Sequence, residues 1–171
     1  MDKKFKDKKY VVFDIETSGL NPWYGDRITC ICAKDSDAQI FALVDEDEQT
    51  IIRSFLGWLV KRKRNKYFLI TQNGKEFDIP FILSRITLKM NLDEKTGLFI
   101  LNYEHLDLIK LTKKPISLNA KAELLGCTPK SGSSENAIKL WNEGRYDELK
   151  DYCVQDVDTT EEIYLKWCSL K

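Results

Sequence analysis

The first apolar segment of the chain reads YVVFDIET and occupies residues 10–17. Its apolar residues are all aromatic or β-branched, which favours an extended conformation, and we predict a strand over residues 10–15. Asp14 and Glu16 are two positions apart, so a strand directs both carboxylates to the same face. Acidic residues are depleted in strands. The pair therefore marks either a solvated strand end that leads into a turn, or a site that gives the carboxylates a partner.

The apolar pattern beyond this segment predicts strands that alternate with helices. Further strands are predicted at residues 28–33, 39–44, 67–71 and 103–108, with a turn at residues 34–37. Helices are predicted at residues 47–64, 77–90, 117–125, 135–142 and 146–168, and a polar loop at residues 130–134. This order is typical of an α/β fold with one mixed sheet covered by helices. We expect a lysine-rich tail at residues 1–9 and a single domain over residues 10–171.

Length and composition narrow the class of protein. The chain has 171 residues and a formal net charge of zero, so it does not coat nucleic acid by charge alone. A neutral enzyme can still meet phosphates through metal ions and a few lysines. No apolar run approaches the ~20 residues of a membrane helix, and the N-terminal residues lack the apolar stretch of a signal peptide. These features favour a cytoplasmic location and no membrane partner.

The cysteines do not form a zinc-binding pattern. They are Cys30, Cys32, Cys127, Cys153 and Cys168. Their number is odd, no Cys-x-x-Cys pair occurs, and His105 is the only histidine in the sequence. Cys30 and Cys32 are two apart in a predicted strand and so face the same side. We interpret the cysteines as small buried hydrophobic residues in a reducing compartment.

The last predicted helix carries an acidic residue within its apolar face. At about 100° per residue, one arc of about 120° contains most of its apolar side chains. The arc consists of Leu149, Tyr152, Cys153, Asp156, Thr160, Ile163, Tyr164 and Trp167. A buried carboxylate needs a cation or hydrogen bonds, so Asp156 is either a functional residue or a core-edge residue paired with a lysine or an amide. Tyr152 lies one turn before it on the same face, as a site residue or as a core tyrosine.

A third acidic residue stands where a strand passes into a helix. The segment NGKEFDIPF, residues 73–81, connects these elements, and α/β proteins place ligands at such junctions. Asp78 in this segment could equally cap or charge the N-terminus of the helix. Pro80 is tolerated because it falls in the first helical turn.

Four acidic residues directed at one point would repel one another, and two divalent cations resolve this repulsion. Hard oxygen ligands favour Mg²⁺ or Mn²⁺, and the lack of His and Cys clusters disfavours Zn²⁺. Two such ions ~3.5–4 Å apart are suited to cleavage of a phosphodiester bond. The carboxylates therefore predict a metal-dependent reaction on nucleic acid.

Three blocks of the sequence together resemble a known superfamily of enzymes. They are FDIET with the following Gly19-Leu20, then residues 73–81, then YCVQDV at residues 152–157. The chain is similar to the DEDD exonuclease superfamily, and Tyr152 resembles the tyrosine of its DEDDy branch. The middle block is similar to the proofreading exonuclease domain of family B DNA polymerases. The chain also resembles the stand-alone bacterial and archaeal relatives of that domain at Ser117-Leu118, residues 124–126 and Trp141. The resemblance covers about residues 10–168.

The resemblance implies a ribonuclease H-like fold, whose five-stranded mixed sheet has an antiparallel second strand. It further implies that Asp14, Glu16 and Asp156 bind a first metal ion. Asp14 would also contact a second ion, which Asp78 would hold through water. Tyr152 would orient the attacking water.

The resemblance also implies which residues bind the substrate and what the substrate is. Asn73 and Thr17 would contact the terminal nucleotide, and Leu20 and Phe77 would line its pocket. The expected activity is 3′→5′ exonuclease cleavage of single-stranded or frayed DNA or RNA 3′ ends, with release of nucleoside 5′-monophosphates. The alternatives are a catalytically weak nucleic-acid-binding relative and an endonuclease on the same fold.

Two further features keep two interpretations each. Asp107 either supports the site from the fifth strand or caps a helix. The basic run at residues 61–64 either touches a phosphate backbone or is a solvated helix C-terminus favoured by the helix dipole.

Overall fold

The computed structural model describes residues 5, 8–63, 66–90, 99–112, 114–132 and 134–170. The strands are β1 (Tyr10–Thr17), β2 (Ile28–Asp35), β3 (Ile40–Val44), β4 (Phe68–Thr71) and β5 (His105–Asp107). The α-helices are α1 (Glu48–Lys63), α2 (Asp78–Lys89), α3 (Leu118–Leu125), α4 (Ser134–Asn142) and α5 (Tyr146–Ser169). Short 3-10 helices lie at Pro22–Tyr24, Phe99–Asn102 and Leu108–Leu111. Within these residues, no helix has the length and apolar character needed to cross a membrane.

The five strands form one mixed sheet in the order β3-β2-β1-β4-β5. Strand β2 is antiparallel to both β1 and β3, whereas β1, β4 and β5 are mutually parallel. The predicted α/β fold, with five strands and an antiparallel second strand, is therefore confirmed.

Alternation along β1 divides the molecule into two packed layers. Val11, Phe13 and Ile15 belong to the core beneath α1 and α2. Val12 belongs to the core beneath α3, α4 and α5, and α5 packs across β1, β2 and β3. Because side chains two apart share a face, Asp14 and Glu16 project toward α5 with Val12.

The sheet opens next to the last residues of β1. The final β1–β4 pair is Val12 with Ile70, and β4 ends at Thr71. The chain then turns through Asn73, which has a positive φ of 68°. Among the described residues, no strand pairs with the β4-facing edge of β1 from residue 13 onward, and this gap lies at the carboxyl ends of parallel strands, where α/β proteins place ligands.

Some predicted boundaries were wrong for identifiable reasons. Strand β1 extends to Thr17 rather than residue 15, because β2 pairs with Glu16 and Thr17. The predicted turn at residues 34–37 is shifted, because Asp35 still belongs to β2 and Ala38 makes the turn with a φ of 60°. Strand β5 is shorter than predicted, because the Asp107 side chain caps the 3-10 helix that follows.

Two other predictions are affected by the packing or by the described range. Val157 and Thr159 are buried outside the predicted arc of α5, because α3 and α4 also cover this helix. Of the predicted tail, residues 1–4 and 6–7 lie outside the described residues. Phe5 is buried, with its ring centroid 4.5 Å from that of Phe68. The boundary at residue 10 stays a prediction.

A buried ion pair joins the two helices of the first layer. Arg85 of α2 donates from Nε and Nη2 to the carboxylate of Glu48 at 2.8 Å, and from Nη1 to the carbonyl oxygen of Pro22 at 2.8 Å. Glu48, the first residue of α1, also accepts from the backbone N–H of Ile28 at 2.8 Å. The pair thus fixes α1, α2 and the start of β2 relative to one another.

Arg85→Met should destabilise the protein, because it leaves the Glu48 carboxylate buried without its cation. Removing one partner of a buried ion pair costs about 3–5 kcal/mol, and we expect a loss at the lower end of that range in urea unfolding. The control is Lys8→Met, which removes the cation from an exposed pair with Glu104 and should cost less than about 1 kcal/mol. Equal losses in the two variants would contradict this account of the pair.

Candidate active site

Four carboxylates from three separate segments line one cavity. Asp14 and Glu16 come from β1, Asp78 from the first turn of α2 and Asp156 from the middle of α5. The cavity has a volume of about 350 Å³, and Tyr152 lines it as well. The structure thus brings together all five residues that the sequence predicts as catalytic.

Asp78 reaches the cavity because β4 stops early. Its Oδ1 accepts from the backbone N–H of Ile15 at 3.2 Å, on the β1 edge that has no partner strand. The N-cap of α2 is Phe77, so Asp78 does not cap the helix, but it does place an acidic side chain in the first turn, which was the other predicted alternative. The pKa of Asp78 is raised to about 7. Burial is the main cause and the charge of Asp107 adds to it, whereas backbone hydrogen bonds to the carboxylate lower the pKa.

The other three carboxylates are also held in an environment that disfavours their charged forms. Burial raises the pKa of Asp14 well above its ordinary value, and the charges of Asp78 and Asp156 add to the shift. Burial likewise raises the pKa of Glu16, with a further contribution from Asp156. Burial raises the pKa of Asp156 to about 6, although Lys130 opposes the shift. Burial therefore favours the protonated forms of these groups, and the neighbouring carboxylates reinforce it at Asp14 and Glu16.

Lys130 brings a cation into this cluster. Its Nζ lies 2.5 Å from Asp156 Oδ2 and donates to the Tyr152 hydroxyl at 2.8 Å, 4.7 Å from the centre of the tyrosine ring. The backbone of Lys130 is held by Asn119, which accepts from its N–H at 3.0 Å and donates to its carbonyl oxygen at 3.2 Å. Ser131 also donates to Gln155 of α5 at 2.7 Å.

Lys130 was not among the predicted site residues. It lies in the predicted polar loop, and no periodicity connects it to α5. The cavity lining also includes Gln72, Glu135 and Ile138, which were missed too. Only the fold of the loop onto α3 and α5 brings Lys130 to the carboxylates, so its sequence neighbours give no signal.

The donor set fits a hard divalent cation. It consists of carboxylate oxygens, the ligands that Mg²⁺ and Mn²⁺ prefer. Asp156 Oδ1 is buried and has no hydrogen-bond partner among the described residues, and a buried acceptor of this kind is normally satisfied. Lys130 neutralises one of the four carboxylates. The other three carboxylates remain without a cation among the described residues, so the site can accept further positive charge. Asp14, Glu16 and Cys153 also form a cluster, in which one ligand atom from each residue lies within 4.8 Å of the others.

The predicted nucleotide-binding residues border the same cavity. Thr17, Leu20, Asn73 and Phe77 all line it. The Thr17 hydroxyl donates to the carbonyl oxygen of Gly19 at 2.6 Å, which fixes the turn after β1. Leu20 is 77% exposed at the rim, whereas Phe77 is partly buried against Phe81. The cavity is therefore lined by both polar and apolar side chains.

Asp107 fulfils both of its predicted alternatives. Its Oδ1 accepts from the backbone N–H of Ile109 at 3.1 Å and so caps the 3-10 helix. The same oxygen accepts from Asn73 N–H at 2.7 Å, and Oδ2 accepts from Lys75 N–H at 3.0 Å. Asp107 thereby holds the loop that carries Asn73 into the cavity.

The basic run at residues 61–64 is partly used for packing. The Arg62 guanidinium pairs with Asp35 at 2.7 Å and lies 3.2 Å from the centre of the Trp58 ring. Arg64 and the side chain of Lys63 lie outside the described residues. Arg62 is therefore largely covered by protein contacts, so the predicted solvated helix C-terminus is wrong for this residue.

Comparison with known proteins places the chain in a superfamily. The sequence model of the family RNase_H_2, RNase_H superfamily, matches residues 11–168. The chain therefore belongs to the RNase H superfamily, which confirms the predicted ribonuclease H-like relationship. Membership of the tyrosine-bearing branch stays a prediction.

A solved structure shares this fold. The chain is similar to the family B DNA polymerase from the hyperthermophilic archaeon Pyrobaculum calidifontis, with a TM-score of 0.76 and 19% sequence identity. The match covers 94% of this chain and 24% of the polymerase chain, so the chain spans about a quarter of that protein. No curated protein matches the sequence.

Asp78→Asn should stabilise the metal-free protein above pH 7. The folded pKa of about 7 exceeds the ordinary value of 3.8, so the stability contributed by this group is complete below the unfolded pKa. It is lost as the pH rises through the folded pKa. Asparagine keeps an acceptor for Ile15 N–H without the charge, and we expect a gain of about 1–2 kcal/mol in urea unfolding with a chelator. The exposed Asp151→Asn should show no gain, and a loss in Asp78→Asn would contradict the argument.

Proposed function

We propose that this protein is a two-metal-ion 3′→5′ exonuclease that acts on single-stranded or frayed nucleic acid ends and releases nucleoside 5′-monophosphates. One observation carries the proposal: three buried carboxylates and the partly buried Asp14 converge on one cavity, and Asp156 Oδ1 has no hydrogen-bond partner among the described residues. The membership of the RNase H superfamily supports the same reaction class. The similar polymerase shares only the fold, so its activity is not transferred.

Asp14, Glu16 and Asp156 would hold one divalent ion, and Asp14 and Asp78 would hold a second. When bound, Mg²⁺ or Mn²⁺ activates water and neutralises charge on the phosphate. Because Asp14 interacts electrostatically with Asp78, Asp156 and Glu16, it would belong to both ligand groups. Asp78 is fixed by Ile15 N–H, so it is prepared for this role without a change in its backbone.

Tyr152 would orient the attacking water rather than remove its proton. Burial raises the pKa of Tyr152 to about 12, although the Lys130 ammonium opposes the shift. The phenol therefore keeps its proton at neutral pH and acts as a hydrogen-bonding group. Burial lowers the pKa of Lys130, but Asp156 and Tyr152 together raise it above its ordinary value, so the ammonium can hold the hydroxyl in place.

The cavity would receive one terminal nucleotide at a time. Its volume of about 350 Å³ is at the lower end of small-molecule sites, which span about 300–1,000 Å³. Leu20 and Phe77 offer apolar surface for a base, and Asn73 and Thr17 would contact the sugar or phosphate. A base in a duplex must first leave its stack, which costs a few kcal/mol.

Asp14→Ala and Asp156→Ala should each reduce cleavage by roughly 10³-fold, because each removes an electrostatic group from the reacting centre. The assay is Mn²⁺-dependent release of mononucleotides from a labelled single strand, with thermal melting in parallel. Asp158→Ala is the matched control, since Asp158 lies on the same helix and is exposed. Full activity in either site variant would refute the proposed ligand set.

Tyr152→Phe should slow cleavage about 10- to 100-fold while the melting temperature changes little, because the ring keeps its packing and only the hydroxyl is lost. Mn²⁺ binding should persist. Tyr164→Phe, a buried tyrosine on the same helix, should retain wild-type turnover. Wild-type turnover in Tyr152→Phe would return Tyr152 to the core-residue interpretation.

A 3′ overhang should be degraded faster than a blunt duplex of the same sequence, because the terminal base of the overhang is already unpaired. With 5′-labelled strands, the products should form a ladder that shortens from the 3′ end. Matched DNA and RNA oligomers tested side by side would define the sugar preference. Cuts within a circular single strand would instead indicate an endonuclease, and binding without products would indicate an inactive relative.

A further inference from the structure

Three cysteine side chains converge behind the carboxylates. Cys30 and Cys32 lie on β2 and Cys153 lies on α5, and each is 0% exposed. The Sγ atoms of Cys30 and Cys32 are 3.6 Å apart, and all three Sγ atoms lie within 4.8 Å of one another. Alternation along β2 turns both of its cysteines toward α5, so the convergence is a direct result of the fold.

These separations match the size of a metal ion bound by three thiolates. With a metal–sulfur distance of about 2.3 Å, three sulfur ligands lie roughly 4 Å from one another. Thiolates select soft cations, whereas the adjacent carboxylates select Mg²⁺ and Mn²⁺. The two donor sets therefore differ in kind although they are close together.

The cluster is adjacent to the carboxylate cavity. In the β1–β2 register, Asp14 pairs with Cys32 and Glu16 pairs with Cys30. Cys153 Sγ donates to the backbone oxygen of Asp14 at 3.7 Å. Any change in the spacing of the three thiols would therefore be transmitted to Asp14 and to Tyr152, the residue next to Cys153.

We infer that Cys30, Cys32 and Cys153 form a buried binding site for one thiophilic d¹⁰ cation, of the class of Zn²⁺ or Cu⁺. Binding forms three metal–sulfur bonds and releases the three thiol protons to the solvent, with no change of oxidation state. This site adds a ligand role to three cysteines that are buried and free, as the sequence predicts. Its three ligands are distinct from the carboxylates of the proposed nuclease site, so metal binding by the thiols can be tested without an assay of activity.

Cd²⁺ provides a direct test, because thiolate ligation produces sulfur-to-metal charge-transfer absorption. The full chain is refolded in the presence of Cd²⁺, so that the ion does not have to enter a closed core. An excess of Mg²⁺ is added to occupy the carboxylates. After removal of free metal, we expect one Cd²⁺ per chain with charge-transfer absorption and a raised melting temperature.

Cys30→Ala, Cys32→Ala and Cys153→Ala should each weaken Cd²⁺ binding at least tenfold and remove the charge-transfer absorption. Cys127→Ala should keep both, since Cys127 is buried on α3's side of the core outside the cluster. Circular dichroism verifies folding, and if one variant does not fold, the other two decide the outcome. Wild-type protein without the absorption, Cd²⁺ bound with no sulfur signal, or absorption retained in a folded cluster variant would each overturn the inference.

Discussion

Four carboxylates share one cavity, where burial and their mutual repulsion both disfavour the charged forms, and the rest of the site depends on this constraint. The sheet creates the problem, because β1 continues past the end of β4 and carries Asp14 and Glu16 into the gap. Asp156 then approaches from α5 and Asp78 from α2. Lys130 compensates one negative charge through Asp156. Burial is the main cause of the raised pKa values of the carboxylates, and neighbouring carboxylates add to it at Asp14, Glu16 and Asp78. Divalent cations suit the site because they would supply positive charge that Lys130 alone does not.

The scaffold around the cavity is rigid where the site requires it. The pair of Arg85 and Glu48 fixes α2, whose first residue is Asp78. Asp107 holds the loop after β4 through backbone hydrogen bonds. A site built from several negative charges must hold its ligands in place before the cations bind, because each carboxylate would otherwise move toward solvent. The Arg85–Glu48 pair and Asp107 therefore hold in place the elements that carry Asp78 and Asn73.

Much of the fold and of the carboxylate set follows from local periodicity, whereas the contacts that complete the site do not. The two-residue spacing of Asp14 and Glu16 defines their common face, and the helical spacing of Tyr152 and Asp156 places them together on α5. Lys130 could not be predicted, because its position depends on paired hydrogen bonds to Asn119 across a loop. The end of β1 was missed for a related reason, since its last pairs are formed with β2 and not by the strand's own sequence.

The stoichiometry of Mn²⁺ binding above pH 7 tests the central claim most directly. Mn²⁺ can be counted by electron paramagnetic resonance of the free ion during a titration, without any assay of activity. The account predicts two ions per wild-type chain, both bound with loss of protons, because the carboxylates are partly protonated in the metal-free protein. A chain that binds no Mn²⁺, or that binds Mn²⁺ without proton release, would contradict it.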